Sequence, residues 1–99
     1  MDTRFKILLV DDEAELTEGL GAFLHRDGFA VPIAASSIEA LNVLPAFGPD
    51  LIVLDILMPG MTGRELLRHL REQQVTTPII LLTRIGEATE RARALEEGA

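Results

Sequence analysis

The stretch Leu51-Ile52-Val53-Leu54-Asp55 constrains this chain more than any other feature. Four consecutive apolar residues without polar alternation read as a strand covered on both faces. An aspartate ends that strand where the chain leaves the sheet, and Pro59, Gly60 and Gly63 then force a loop before the next helical pattern. In an open α/β sheet, ligands and chemistry collect beyond the carboxyl ends of the strands. Asp55 stands at such a place. A lone aspartate there also serves as a helix cap or a loop anchor, so its position alone does not assign a role.

A second stretch repeats the pattern. Phe5-Lys6-Ile7-Leu8-Leu9-Val10 reads as a strand and runs into Asp11-Asp12-Glu13. Laid side by side and parallel, the two strands bring three carboxylates to one edge of the sheet. Like charges that close require a proton or a cation among them. Oxygen-only ligands with room for water suit a hard divalent ion such as Mg²⁺. Asp12 has a second reading, because Asp12-Glu13-Ala14-Glu15 fits a capping box with Asp12 as N-cap and Glu15 at N3. That reading leaves Asp11 and Asp55 unexplained. A third strand, Pro78-Ile79-Ile80-Leu81-Leu82, ends in Thr83, whose hydroxyl can donate a hydrogen bond to an anion held near Asp55.

Between these strands the chain alternates helix with strand. Leu16, Leu20, Phe23 and Leu24 recur on one helical face, and Gly28 closes that helix as its C′ residue. Gly19 and Gly21 weaken the helix; lying inside it and lacking a third glycine, they do not form a dinucleotide loop. Phe29–Ala34 reads as a short strand containing Pro32, which assigns it to a sheet edge. Ser36-Ser37-Ile38-Glu39 reads as a capping box opening a helix through Ala40, Leu41 and Leu44, which Pro45, Gly48 and Pro49 end. Thr62-Gly63-Arg64-Glu65 repeats the box, with Leu66, Leu67 and Leu70 as a buried stripe and Arg64, Arg68 and Arg71 as a basic outer ridge. A last helix, weakly held, is expected over Glu87–Glu97, with Gly98 at its end. The alternation implies a doubly wound α/β fold with parallel strands joined by right-handed crossovers.

Asp11-Asp12 after a first strand, Asp55 in "LDILMPGMTG", Thr83 ending "PIILLT", "IEAL" after the second strand and "ALEEGA" near the end together resemble the receiver domain of bacterial two-component response regulators. The resemblance runs over the whole chain. It implies a flavodoxin-like sheet of strand order 2-1-3-4-5, in agreement with the edge proline. It further implies that Asp55 accepts a phosphoryl group from a sensor histidine kinase. Asp11, Asp12, Asp55 and the Leu57 carbonyl would hold Mg²⁺ or Mn²⁺, and Thr83 would contact the phosphoryl oxygen. Arg84 stands where the family often has a small residue; it either points to solvent or reaches across the mouth of the site.

The family also carries a lysine at the end of a fifth strand, and this sequence stops at Ala99, where that strand should begin. Its single lysine, Lys6, lies five residues before Asp11, roughly 16 Å away at the other end of the sheet. Residues 1–99 therefore read as one receiver domain, incomplete at its C-terminus and of order 2-1-3-4. Such a chain is expected to bind metal, to self-associate through the open edge of the fourth strand, and not to switch.

Composition narrows the alternatives. A net charge of -7 argues against direct nucleic-acid binding by this domain, although a DNA-binding output domain in a longer chain is compatible with it. The chain has no cysteine, which excludes thiolate metal sites, and no apolar run approaches a membrane span or a signal peptide, so a cytoplasmic location is expected. No serine has a histidine or acid at useful spacing. Two other functional classes remain, a chemically silent docking or dimerisation module and a hydrolase with an aspartyl-phosphate intermediate. The hydrolase would want a general acid two residues past Asp55, where Leu57 stands.

Overall fold

The computed structural model describes residues 4–82 and Gly98. Thr83, Arg84 and the helix expected over Glu87–Glu97 lie outside them. The elements alternate as read: β1 (Ile7–Val10), α1 (Ala14–Arg26), β2 (Ile33–Ala34), α2 (Ser37–Phe47), β3 (Leu51–Asp55), α3 (Gly63–Glu72) and β4 (Ile79–Leu82). All neighbouring strands are parallel, in the order β2-β1-β3-β4. Among the described residues three helices cover this sheet in a flavodoxin-like arrangement.

β2 is the edge strand, and Pro32 shows why that place suits it. Pro32 has no N–H to give, but its carbonyl accepts from the Leu9 N–H at 3.1 Å. The strand is shorter than the expected Phe29–Ala34, because its first half touches β1 only through an isolated bridge between Lys6 and Ala30. β3 is central, pairing Leu9 with Val53 and Val10 with Leu54 on one side and Asp55 with Leu82 on the other.

The main core lies between the sheet and α2–α3. Leu8, Val10, Ile52 and Leu54 project from the sheet onto Ala40, Leu66, Leu67 and Leu70, all essentially buried. Fully burying a leucine contributes about 1.5–3 kcal/mol, so the three leucines of α3 alone fix that helix firmly. Lys6 closes the opposite end of the sheet from the aspartates. Its Nζ donates to the Phe47 carbonyl at 3.2 Å, and its backbone N–H donates to Asp50 Oδ2 at 2.8 Å.

The other face carries α1, and here the expected stripe is wrong. Thr17 and Gly21 are the buried residues of α1, whereas Leu16 and Phe23 are 48% and 58% exposed. Gly21 is a packing residue: a Cβ there would meet the side chains of Ile33 and Leu9 at 3.4 and 3.8 Å. Those are ordinary van der Waals distances to side chains, so α1 rests on Leu9 and Ile33 through its Thr17–Gly21 face and the leucine stripe is turned partly outward. Ile80 of β4 is also 51% exposed.

Helix ends differ in detail from the sequence reading. Glu13, not Asp12, is the N-cap of α1, and no side chain caps it. Instead the Glu13 N–H donates to Asp11 Oδ1 at 3.0 Å, a local turn that leaves Asp12 outside the helix. Gly28, with φ of 98°, does close α1 as C′: its N–H donates to His25 and that of Phe29 to Leu24, the paired bonds of a Schellman motif. Pro45 does not end α2 but sits in its last turn, where only one intrahelical bond is forfeited; Gly48, left-handed at φ 60°, ends it. Arg71 is not part of a free basic ridge. Its Nη1 donates to the carbonyls of Val75 and Thr77 at 2.7 and 2.9 Å, and its Nε donates to that of Gly98 at 3.1 Å, clamping the α3–β4 connection. Arg68 remains exposed.

Candidate functional site

Register brings the acidic residues together. Val10 pairs with Leu54, so the next residues along these parallel strands, Asp11 and Asp55, leave the sheet side by side. Asp11, Asp12 and Asp55 each offer a carboxylate oxygen within 4.8 Å of the others. Asp11 and Asp55 are buried, at 4% and 6% exposure, while Asp12 is open to solvent. Two buried carboxylates thus meet one that is open to solvent.

The donor set fits a hard divalent cation. All three donors are oxygens, and their spacing approaches the ~3–4 Å that ligands about 2.1 Å from one ion would take. The exposed side leaves room for water, which Mg²⁺ retains readily. Without a cation the site holds three like charges against one another.

The loop after β3 is built tightly around Asp55. The Leu57 N–H donates to Asp55 Oδ1 at 3.3 Å, which orients the carboxylate, while the Leu57 side chain is 42% exposed. Ile56 and Met58 are buried and tie the loop into the core. Gly60, at φ 77°, makes the turn. The Gly63 N–H then reaches back to the Ile56 carbonyl at 2.9 Å. Thr62 caps α3 with a complete box: Glu65 N–H donates to Thr62 Oγ1 and Thr62 N–H to Glu65 Oε1, both at 3.2 Å. α2 opens with a shifted version, in which Ser36 accepts from the Glu39 N–H but the Glu39 carboxylate takes the N–H of Ala35.

A model of the response regulator receiver domain matches residues 7–99. This chain belongs to the response regulator receiver domain family. The transcriptional regulatory protein TrcR of Mycobacterium tuberculosis is 40% identical over 95% of this chain and 37% of its own length. Response regulator MprA of Mycobacterium avium is 37% identical over 95% of this chain and 41% of its own. The chain thus spans about two fifths of the curated relatives it matches. Among solved structures, the Vibrio cholerae chemotaxis protein CheY4 superposes with a TM-score of 0.90 at 32% identity, over 98% of this chain and 82% of that one. The receiver domain of Francisella response regulator 1452 gives 0.88 at 29%, over 95% and 78%. Receiver domains are signalling modules of two-component systems rather than classical enzymes.

Asp11, Asp12 and Asp55 thus meet as the sequence reading expected, and Leu57 lies beside them. Two residues around the site were read for less than they do. In the sequence, Gly63 reads as a loop former and Ser37 as part of a helix cap. Their actual contacts depend on tertiary packing, for which the sequence carries no local signal beyond a doubled serine and a glycine one residue past a cap.

Proposed function

We propose that this receiver domain is the phosphoacceptor switch of a two-component phosphorelay, with Asp55 as the acceptor. The supporting observation is the convergence of Asp11, Asp12 and Asp55 within 4.8 Å at the carboxyl ends of adjacent strands. A carboxylate oxygen of Asp55 attacks phosphorus in line, and the P–N bond to the kinase histidine breaks. Asp11, Asp12 and Asp55, with the Leu57 carbonyl, are the residues assigned to hold the divalent cation. When bound, Mg²⁺ or Mn²⁺ supplies charge neutralisation for the carboxylates and the transferred group. The Leu57 N–H keeps the Asp55 carboxylate oriented. Thr83 is assigned to the phosphoryl oxygen, and Arg84 to the solvent or to the mouth of the site; both assignments rest on the family resemblance.

Leu57 offers no acid–base group two residues beyond the acceptor, which favours a switch over a hydrolase. A sensor histidine kinase is the proposed partner, the cytoplasm the proposed location, and transcription the proposed output, through a DNA-binding domain in a longer chain. The name of TrcR as a transcriptional regulatory protein supports that output. Among the described residues no helix is long and apolar enough to cross a membrane. A phosphate analogue added with Mg²⁺ tests the proposal against a chemically silent docking module. The switch should bind it and shift the Leu57 amide resonance; no shift at Leu57 would favour the silent module.

A further inference from the structure

The loop from Ile56 to Thr62 shapes the site, and a residue from another element holds it. Ser37, the first residue of α2, is 2% exposed and donates its hydroxyl to the Met61 carbonyl at 2.9 Å. The end of α2 does not need this hydroxyl, because Ser36 already accepts from the Glu39 N–H. Ser37 therefore turns its hydroxyl away from its own helix and toward the loop that follows β3. The contact spans 24 residues of sequence, so only the folded state makes it.

The two ends of the loop are fixed separately. The Gly63 N–H bonds the Ile56 carbonyl, and the Leu57 N–H bonds Asp55 Oδ1. Between them Met58 is buried in the core, and Pro59 and Gly60 are exposed. After these two exposed residues the loop meets the core again at the half-buried Met61, whose carbonyl accepts from the Ser37 hydroxyl.

Resting on the reading of Asp55 as acceptor, we infer that Ser37 is a positioning residue for the acceptor loop. Its hydroxyl holds the Met61 carbonyl, and through residues 57–61 it sets the backbone of Leu57 against the Asp55 carboxylate. Removing the hydroxyl leaves a carbonyl at the α2 interface without its donor and lets the loop choose other shapes. The three aspartates stay in place; what is lost is the registration of Leu57, whose carbonyl is the fourth assigned ligand, with Asp55.

The test compares Ser37→Ala with Ala40→Gly in the 99-residue chain. Ala40 is fully buried on the next turn of α2 and belongs to the core cluster, so Ala40→Gly costs stability through packing. Amide hydrogen exchange and a Mg²⁺ titration are read on both variants and on the parent. Ser37→Ala should speed exchange selectively at Leu57 and Gly63 and weaken Mg²⁺ binding about tenfold, the scale of an outer-shell contact. Ala40→Gly should lower the melting temperature while leaving the Mg²⁺ midpoint within about twofold. Equal exchange and equal Mg²⁺ affinity in the two variants would overturn the inference. Absence of Mg²⁺ binding in the parent would overturn the site reading instead, and the exchange measurement would still decide whether Ser37 anchors the loop.

Discussion

Gly63 packs directly on the backbone of Asp55. A Cβ at Gly63 would collide with the Asp55 carbonyl oxygen and would lie 2.8 Å from its carbonyl carbon and 2.9 Å from the Ile56 Cα. None of these atoms can rotate away, because all are main chain. The first residue of α3 is thus a glycine for reasons of approach, and the acceptor strand and the following helix share one rigid junction. Gly63→Ala should destabilise the fold by about 1–3 kcal/mol, the range of overpacked sites. A denaturant titration checks this, and an unchanged midpoint would show that the junction yields.

The three carboxylates predict a charge effect with a definite sign. Without metal, Asp55→Asn removes one of three like charges and should melt higher than the parent. With Mg²⁺ at a hundredfold excess over its dissociation constant, the parent should gain about 2.7 kcal/mol, and the variant less. Melting curves at matched ionic strength test both statements. A parent indifferent to millimolar-range Mg²⁺ would contradict them.

Thr62 carries the complete capping box of α3 while standing one residue from the junction with Asp55. Thr62→Ala should cost about 1 kcal/mol. Thr62→Ser keeps the hydroxyl and should cost much less, as paired unfolding midpoints would show.

Gln74 is the non-glycine residue with positive φ among the described residues, at 62°. It is the C′ residue of α3, with the Gln74 and Val75 N–H groups donating to Arg71 and Leu70. Left-handed backbone costs a side-chain-bearing residue about 1–2 kcal/mol, and glycine's extra freedom when unfolded returns part of that. Gln74→Gly should therefore raise stability slightly, and a lower unfolding midpoint would contradict this account of the cap.

Most of the architecture was legible because the signals were local and agreed with one another. The unbroken apolar runs of β1, β3 and β4 marked parallel strands, of which β4 is left partly open at Ile80, Pro32 marked an edge, and Asp11, Asp12 and Asp55 followed their strands at matching places. What escaped the sequence was set by tertiary approach. α1 meets the sheet through Thr17 and Gly21, so Leu16 and Phe23 are left exposed. Asp11 captured the Glu13 N–H and moved the start of α1 past Asp12. Arg71 looked like a solvated charge and instead binds the carbonyls of the next connection. Gly63 and Ser37 gained their roles only when α3 and α2 closed on the loop after Asp55.

Asp55 as the phosphoacceptor is open to direct trial. Incubation with a small-molecule phosphodonor and Mg²⁺, followed by mass spectrometry of the peptide containing residues 51–58, tests it most directly. In the complete domain, one phosphoryl group is expected on Asp55 and none in Asp55→Asn. A phosphoryl group retained in Asp55→Asn, or carried on any other residue of the parent, would contradict it.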